Sequence, residues 1–420
     1  MRQAINVMSP PQAIAASIER SGSAPLCLYY LNKNSQRRSI HLPEDSPFHT
    51  RIRTIRSESA GAGYPLFRGL LRDTPALQTL QFTQSIGYGC WPPKNPIESL
   101  GDLPLIRHLS ALGWQPLPGA AWLVNLKELI LSPISGPNME LIQVLSTCAN
   151  LEQLTIVSEG KVEGELPVAT PPITLARLRS MRLEFASNES AMIIIRRLIT
   201  PQCLRSSLQV VDAKHLLEYI ADYRRFMSLE GSCTDYPESA CITIKYTYTE
   251  ESLDYETDSR QLSFKTATSA EVRVFLDLVQ ELQDLYKGPP LTVTIDSLID
   301  RAPLLSFFHN QNIQAIVVRC AERSQSPDIL LRLLGLPPET PSGPNSTIDW
   351  PLKSLKVIDI YNVSVDLTNF TELVEKNLHK NSKPLLEEIA LIGCSFQGME
   401  LAEAVERLAA IGITLSTGQR

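Results

Sequence analysis

The stretch LKELIL, residues 126–131, sets leucines at 126, 129 and 131 and leaves Lys127, Glu128 and Ile130 between them. Side chains alternate along a strand, so Leu129 and Leu131 fall on one face while Glu128 and Ile130 fall on the other. The same L-x-x-L-x-L spacing returns in LQTLQF from Leu77, LEQLTI from Leu151, LRSMRL from Leu178, LKVIDI from Leu355 and LEEIAL from Leu386. Weaker versions begin at Ile52 (IRTIRS), Ile106 (IRHLSA) and Ile313 (IQAIVV). In the first half of the chain, successive copies start 25, 29, 20, 25 and 27 residues apart.

That period is the one used by leucine-rich repeats, about 20–29 residues. It predicts a short strand in each copy, its apolar residues directed into a shared core, then a loop and a helix that returns the chain for the next strand. The intervening segments LFRGLLRD (66–73), MELIQVLSTC (139–148) and FTELVEKNL (370–378) carry apolar residues at helical spacing. The fold class read from this is α/β, a leucine-rich-repeat-like solenoid or horseshoe with irregular repeats and a mainly parallel sheet. Strands are expected near Leu80, Leu129, Leu154, Met181, Ile358 and Ile389 in one continuous sheet. The alternative is a generic α/β protein in which helices and strands simply alternate.

Two regions depart from the repeat. Residues 1–48 are read as an N-terminal helix and strand cap, with a helix over Gln12–Arg20, Gly22 as its left-handed cap, Pro25 as a stop and a strand at Leu26–Tyr30. Residues 49–420 form the irregular solenoid, elaborated near 241–266 by a hairpin. There CITIKYTY (241–248) alternates strictly and is expected to pair with 261–265 across the acidic tip EESLDYETDS (250–259). Thr268 and Glu271 fit a capping box for a helix carrying Phe275, Leu276 and Val279, before the strand LTVTI (291–295). Segments 158–172 and 336–350, rich in Pro, Gly and polar residues, read as surface loops.

Composition limits the function classes. Hydrophobic residues make up 43% of the 420 and charged residues 20%, enough to build a large core. A net charge of -6 with only isolated basic pairs, such as Arg196-Arg197, argues against nucleic acid as a partner. The first residues show no charged n-region followed by an apolar core, and the strongest apolar run, Ala191–Ile195, is stopped by two arginines. No membrane association is expected, and the location implied is cytoplasm or nucleus. Eight cysteines contain no CxxC, the histidines stand far apart, and neither HExxH nor GxSxG occurs. The acidic 250–259 loop lacks the glycine and spacing of an EF-hand, and Gly61-x-Gly63 lacks the rest of a phosphate-binding loop. No metal, no cofactor and no enzyme activity are expected. An active site assembled only in space stays open as a distant alternative.

Strand alternation instead nominates a binding face. It exposes Thr79 and Gln81, Glu128 and Ile130, Gln153 and Thr155, and Ser180 and Arg182, which stacked strands turn into ladders. On a solenoid such ladders line the concave face that binds extended partners. Cys394, closing the L-x-x-L-x-L-x-x-C of LEEIALIGC (386–394), is expected to point inward and satisfy loop backbone groups.

ERSGSAPLCL (19–28), LLRDTPALQTLQF (70–82), TCANLEQLTI (147–156) and LEEIALIGC together resemble the fungal F-box proteins with leucine-rich repeats. The resemblance covers nearly the whole chain, loosely. It implies a ubiquitin-ligase substrate receptor, in which a short helical F-box docks on a Skp-type adaptor and the repeats recruit the protein to be ubiquitinated, and it offers for residues 1–48 the other reading of a remnant of the junction that follows the F-box. A stand-alone leucine-rich-repeat scaffold with no ubiquitin link is the other reading. Residues 1–16 show neither the Leu-Pro start nor the paired helices of an F-box, so adaptor binding is expected only if an F-box lies upstream. The chain as given is therefore expected to elute apart from purified Skp-type adaptor in size-exclusion chromatography at micromolar concentration. Co-elution would place the docking surface within the repeats.

Overall fold

The computed structural model describes residues 3–7, 9–30, 47–57, 74–82, 103–111, 116–134, 139–159, 171–212, 216–228, 240–246, 251–257, 260–265, 273, 275–281, 290–295, 313–319, 354–362, 364–379 and 386–418. The expected helix at 66–73, the capping box at Thr268 and Glu271, the loop at 336–350 and most of the 158–172 loop lie outside them. The chain gathers into two compact units, Met1–Val210 with Ser228–Cys233, and Val211–Met227 with Thr234–Arg420.

In the first unit the strands are β1 (Gln3–Asn6), β2 (Leu26–Tyr30), β3 (Ile52–Ser57), β4 (Thr79–Phe82), β5 (His108–Ala111), β6 (Glu128–Ile134), β7 (Gln153–Ser158), β8 (Ile173–Thr174), β9 (Ser180–Ser187), β10 (Leu198–Ile199) and β11 (Arg205–Asp212). Nine of them form a parallel sheet in chain order, β1-β2-β3-β4-β5-β6-β7-β9-β11, which does not close into a barrel. The short strands β8 and β10 pair separately. Ile5, Leu28, Ile55, Leu80, Leu109, Leu129, Leu154 and Met181 occupy one register row. Each is at most 3% exposed, and burying such a side chain contributes about 1.5–3 kcal/mol.

The same turn delivers the chain to β4, β5, β6, β7, β9 and β11. The N–H of Leu77, Ile106, Leu126, Leu151, Leu178 and Cys203 donates to the carbonyl three residues back, on Thr74, Leu103, Leu123, Cys148, Leu175 and Thr200, over 3.1–3.2 Å. Both ends of every such turn are buried. Adjacent turns are tied together: Asn125 Nδ2 donates to the Pro104 carbonyl (3.1 Å) and Asn150 Nδ2 to that of Val124 (2.8 Å). The helix Met139–Thr147 buries Leu141, Ile142, Val144 and Leu145. The helix Asn188–Ile195 buries both Ile194 and Ile195, and its N-cap Ser187 Oγ accepts from the Ser190 N–H at 3.3 Å.

At the N-terminus the helix spans Pro11–Arg20 and Gly22 takes φ 53°, a conformation for which glycine carries no Cβ penalty. Arg51 reaches back to the helix end, donating to the Ile18 carbonyl (3.3 Å), to Ser21 Oγ (3.0 Å) and to the Gly22 carbonyl. A cation there opposes the negative end of the helix dipole. Strand β1 was not foreseen. It pairs with β2 and buries Ile5 and, just beyond it, Val7.

The second unit contains β12 (Ala240–Tyr246), β13 (Glu251–Thr257), β14 (Arg260–Lys265), β15 (Leu291–Ile295), β16 (Ile313–Arg319), β17 (Val357–Tyr361), β18 (Ser364–Asp366), β19 (Glu388–Ile392), β20 (Ser395–Gln397) and β21 (Thr414–Thr417). Its parallel strands run β12-β15-β16-β17-β19-β21. Ile316, Ile358, Ile389 and Leu415 form its core row. The helices Leu367–His379 and Leu401–Ala410 are joined by Arg407, whose Nε donates to Glu375 Oε1 at 2.9 Å.

Two expectations are corrected here. The acidic stretch 250–259 is not a solvated tip: residues 251–257 form β13, which pairs antiparallel with both β12 and β14, so 240–246 does not meet 260–265 directly. The reason is a period-two pattern hidden under the acidic composition. Leu253 and Tyr255 sit opposite Ile244 and Ile242, Tyr255 is fully buried, and Asp254 on the alternate phase accepts from the Ser263 hydroxyl. Cys394 is half-buried rather than inward, although its Sγ does lie 3.5 Å from the Ile360 carbonyl.

The in-register row sets the expected response to mutation. Leu129→Ala or Leu154→Ala should cost about 2–5 kcal/mol, and the corresponding Asp variants should unfold the unit. Gln153→Ala, on the exposed phase of the same strand, should stay within about 0.5 kcal/mol of wild type. Thermal and urea melts of the five variants check this.

Candidate functional site

The face of the first sheet opposite the leucine row carries the residues nominated by alternation, and the register places them side by side. One row runs Thr54, Thr79, His108, Glu128, Gln153, Ser180. The next runs Arg56, Gln81, Ser110, Ile130, Thr155, Arg182. Neighbours within a row stand about 4.8 Å apart and the rows about 7 Å apart. All eight nominated residues are half-buried or exposed.

A cavity of ≈ 370 Å³ opens on this face between β3 and β6. Arg56, Thr79, Gln81, His108, Ser110, Glu128 and Ile130 line it, with Leu80 and Leu109 beneath. Thus Thr79, Gln81, Glu128 and Ile130 come together in one place, while Gln153, Thr155, Ser180 and Arg182 continue the rows beyond it. His108 Nδ1 lies 3.0 Å from Glu128 Oε2 across adjacent strands. Arg182 Nε donates to Glu184 Oε1 at 2.6 Å along its own strand.

Arg56, His108 and Ser110 escaped the sequence reading, which applied the alternation only to the clearer copies. The signal was present in IRTIRS and IRHLSA, whose exposed phase contains these three residues. The cavity therefore offers a guanidinium, an imidazole-carboxylate pair, an amide, hydroxyls and one aliphatic side chain. These groups can recognise polar and small apolar side chains of a partner. The backbone N–H groups that an acyl-transfer site would aim at a developing oxyanion are engaged between strands here.

Charge is concentrated just below the rows, where the strands begin. Lys127 Nζ donates to Glu152 Oε1 at 2.6 Å. That bond, reinforced by the charges of Lys127, Arg179 and Arg177, holds the Glu152 carboxyl below its ordinary range. By contrast, burial pushes the Cys148 thiol up to about 12, which makes it a packing residue rather than a nucleophile. In the second unit, Arg319 stacks 5.3 Å over the Tyr361 ring. Among the described residues, no three His, Cys, Asp or Glu side chains are grouped to hold a metal ion, and no helix is long and apolar enough to cross a membrane.

The Lys127–Glu152 pair yields a pH prediction. Lys127→Gln removes the largest cause of the lowered carboxyl, so the Glu152 titration midpoint should move up, still held partly down by Arg179 and Arg177. Because the folded-state value is depressed, whatever stability the pair adds is present at neutral pH and fades as pH falls through that midpoint. Carbon-detected NMR titration of the glutamate carboxyl in both proteins measures the shift. Compared with known proteins, the chain matches no family model and no curated sequence.

Proposed function

We propose that the chain is a non-catalytic protein-binding module built as an irregular leucine-rich-repeat solenoid, resembling the substrate-recognition part of an F-box ubiquitin-ligase receptor. The observation that carries this reading is the pair of in-register rows on the open face of the first sheet. An extended segment laid across those strands meets a different side chain at each step of about 4.8 Å, the mode by which solenoids hold linear partners. The recurring buried turn, with its asparagine ties between neighbours, supports a repeat architecture. The link to ubiquitin rests on the resemblance of SGSAPLCL and LEEIALIGC, and a stand-alone scaffold uses the same face.

A photo-crosslinking residue placed at Gln81 or Thr155 should trap a discrete partner in cells. The same probe at Gln143, on the exposed side of the helix Met139–Thr147, should not. Equal adducts from both positions would refute binding through the open face. Recovery of a Skp-type adaptor with the endogenous protein separates a ligase receptor from a stand-alone scaffold.

A further inference from the structure

We infer that the edge of the first sheet where its strands begin is a docking surface for an acidic, extended segment of a protein partner. The inference rests on reading this unit as a protein-binding module. Immediately before the exposed rows, each repeat contributes one residue to a third row: Arg53, Gln78, Arg107, Lys127, Glu152, Arg179, Leu204, with Arg205 next to Leu204 at the start of the first exposed row. The third row's alignment is set by backbone bonds, each N–H donating to the carbonyl of the preceding member over 2.8–2.9 Å. Arg177, at the turn into β9, adds a further cation beside this row.

Some of this charge is spent within the fold. Arg53 Nη1 donates to the Ala76 carbonyl at 2.9 Å, and Lys127 holds Glu152. Arg107, Arg177, Arg179 and Arg205 are all exposed, and none makes a hydrogen bond or ion pair with a described residue. The matching row of the second unit is different. There Gln314, Lys356 and Glu387 follow one another, and Lys356 lies 3.6 Å from Glu387, so the charges balance. A chain of net charge -6 has thus gathered exposed guanidinium groups along one edge of one unit, where Glu152, already held by Lys127, is the one carboxylate of the row and feels Arg177 and Arg179 as well.

Guanidinium groups favour carboxylates through paired N–H donors. From Arg107 before β5 to Arg205 on β11 these cations span five strands, roughly 20 Å, the length of about six residues of extended chain. The partner chemistry is therefore a short run rich in Asp and Glu. Nucleic acid fits less well, because a few cations along one edge of a chain of net charge -6 offer few of the phosphate contacts that a continuous polyanion needs.

The test uses the whole protein, a fluorescently labelled peptide alternating glutamate and serine, its glutamine counterpart, and a single-stranded oligonucleotide. Anisotropy at low ionic strength should show binding of the acidic peptide but not of the glutamine one. The triple variant Arg107→Gln, Arg179→Gln, Arg205→Gln should weaken it about tenfold, as expected for loss of several exposed ion pairs. The matching Arg→Lys triple should retain most of the affinity, raised salt should reduce it, and melts should confirm that both variants fold. No binding of the acidic peptide, equal binding of the glutamine peptide, or indifference to the Gln triple would overturn the inference. So would tighter, Arg-dependent binding of the oligonucleotide. An open-face variant, Ile130→Ser with Thr155→Ala, separates the two claims. If it loses the crosslinked partner while peptide affinity is unchanged, face and edge act independently. Failure of the peptide alone leaves the open face standing.

Discussion

The register of one buried row holds the first unit together. Leu80, Leu109, Leu129, Leu154 and Met181 stack strand upon strand because a parallel ladder allows no slip: a one-residue shift would turn every leucine to solvent and every Thr, Gln or Glu into the core. Penalty and gain point the same way at each strand, so the row sets the phase of the whole sheet. The recurring turn, closed between two buried residues, repeats that phase despite spacings between copies that vary from 20 to 29 residues. Variable segments can then differ in length without disturbing the strands.

Everything exposed inherits this constraint. Since the inward phase is pinned, the outward phase is pinned too, and residues far apart in sequence become neighbours in straight rows. His108 and Glu128 meet across adjacent strands for no local reason, and the arginines before the strands align because the leucines after them do. A surface made this way is modular. Each repeat can change its outward residues without cost to the core, as suits a face that selects partners by side-chain pattern.

The two units use the same device with different balance. The second replaces leucine by isoleucine in its core row, extends the sheet with an antiparallel β13–β14 hairpin, and neutralises its charged edge through Lys356 and Glu387. Along the first unit's edge the cations outnumber the carboxylates, with Arg53, Arg107, Lys127 and Arg179 set against Glu152.

Alternation within short windows was enough to read the strands at Leu80, Leu129, Leu154, Met181, Ile358 and Ile389, helical segments at 139–148 and 370–378, and the left-handed Gly22, because hydrophobic period and backbone sterics are local properties. The same logic nominated the eight outward residues and would have found Arg56, His108 and Ser110 had the weaker copies been treated alike. Other features depended on partners distant in the chain. Strand β1 is four residues with no periodicity to detect, and it exists because β2 offers an unpaired edge. Strand β13 reads as an acidic loop until Ile242, Ile244 and the Ser263 hydroxyl stand beside it. Which exposed residues share a cavity, and which arginines line one edge, follow from register between strands, and register is a relation between segments that no single segment contains.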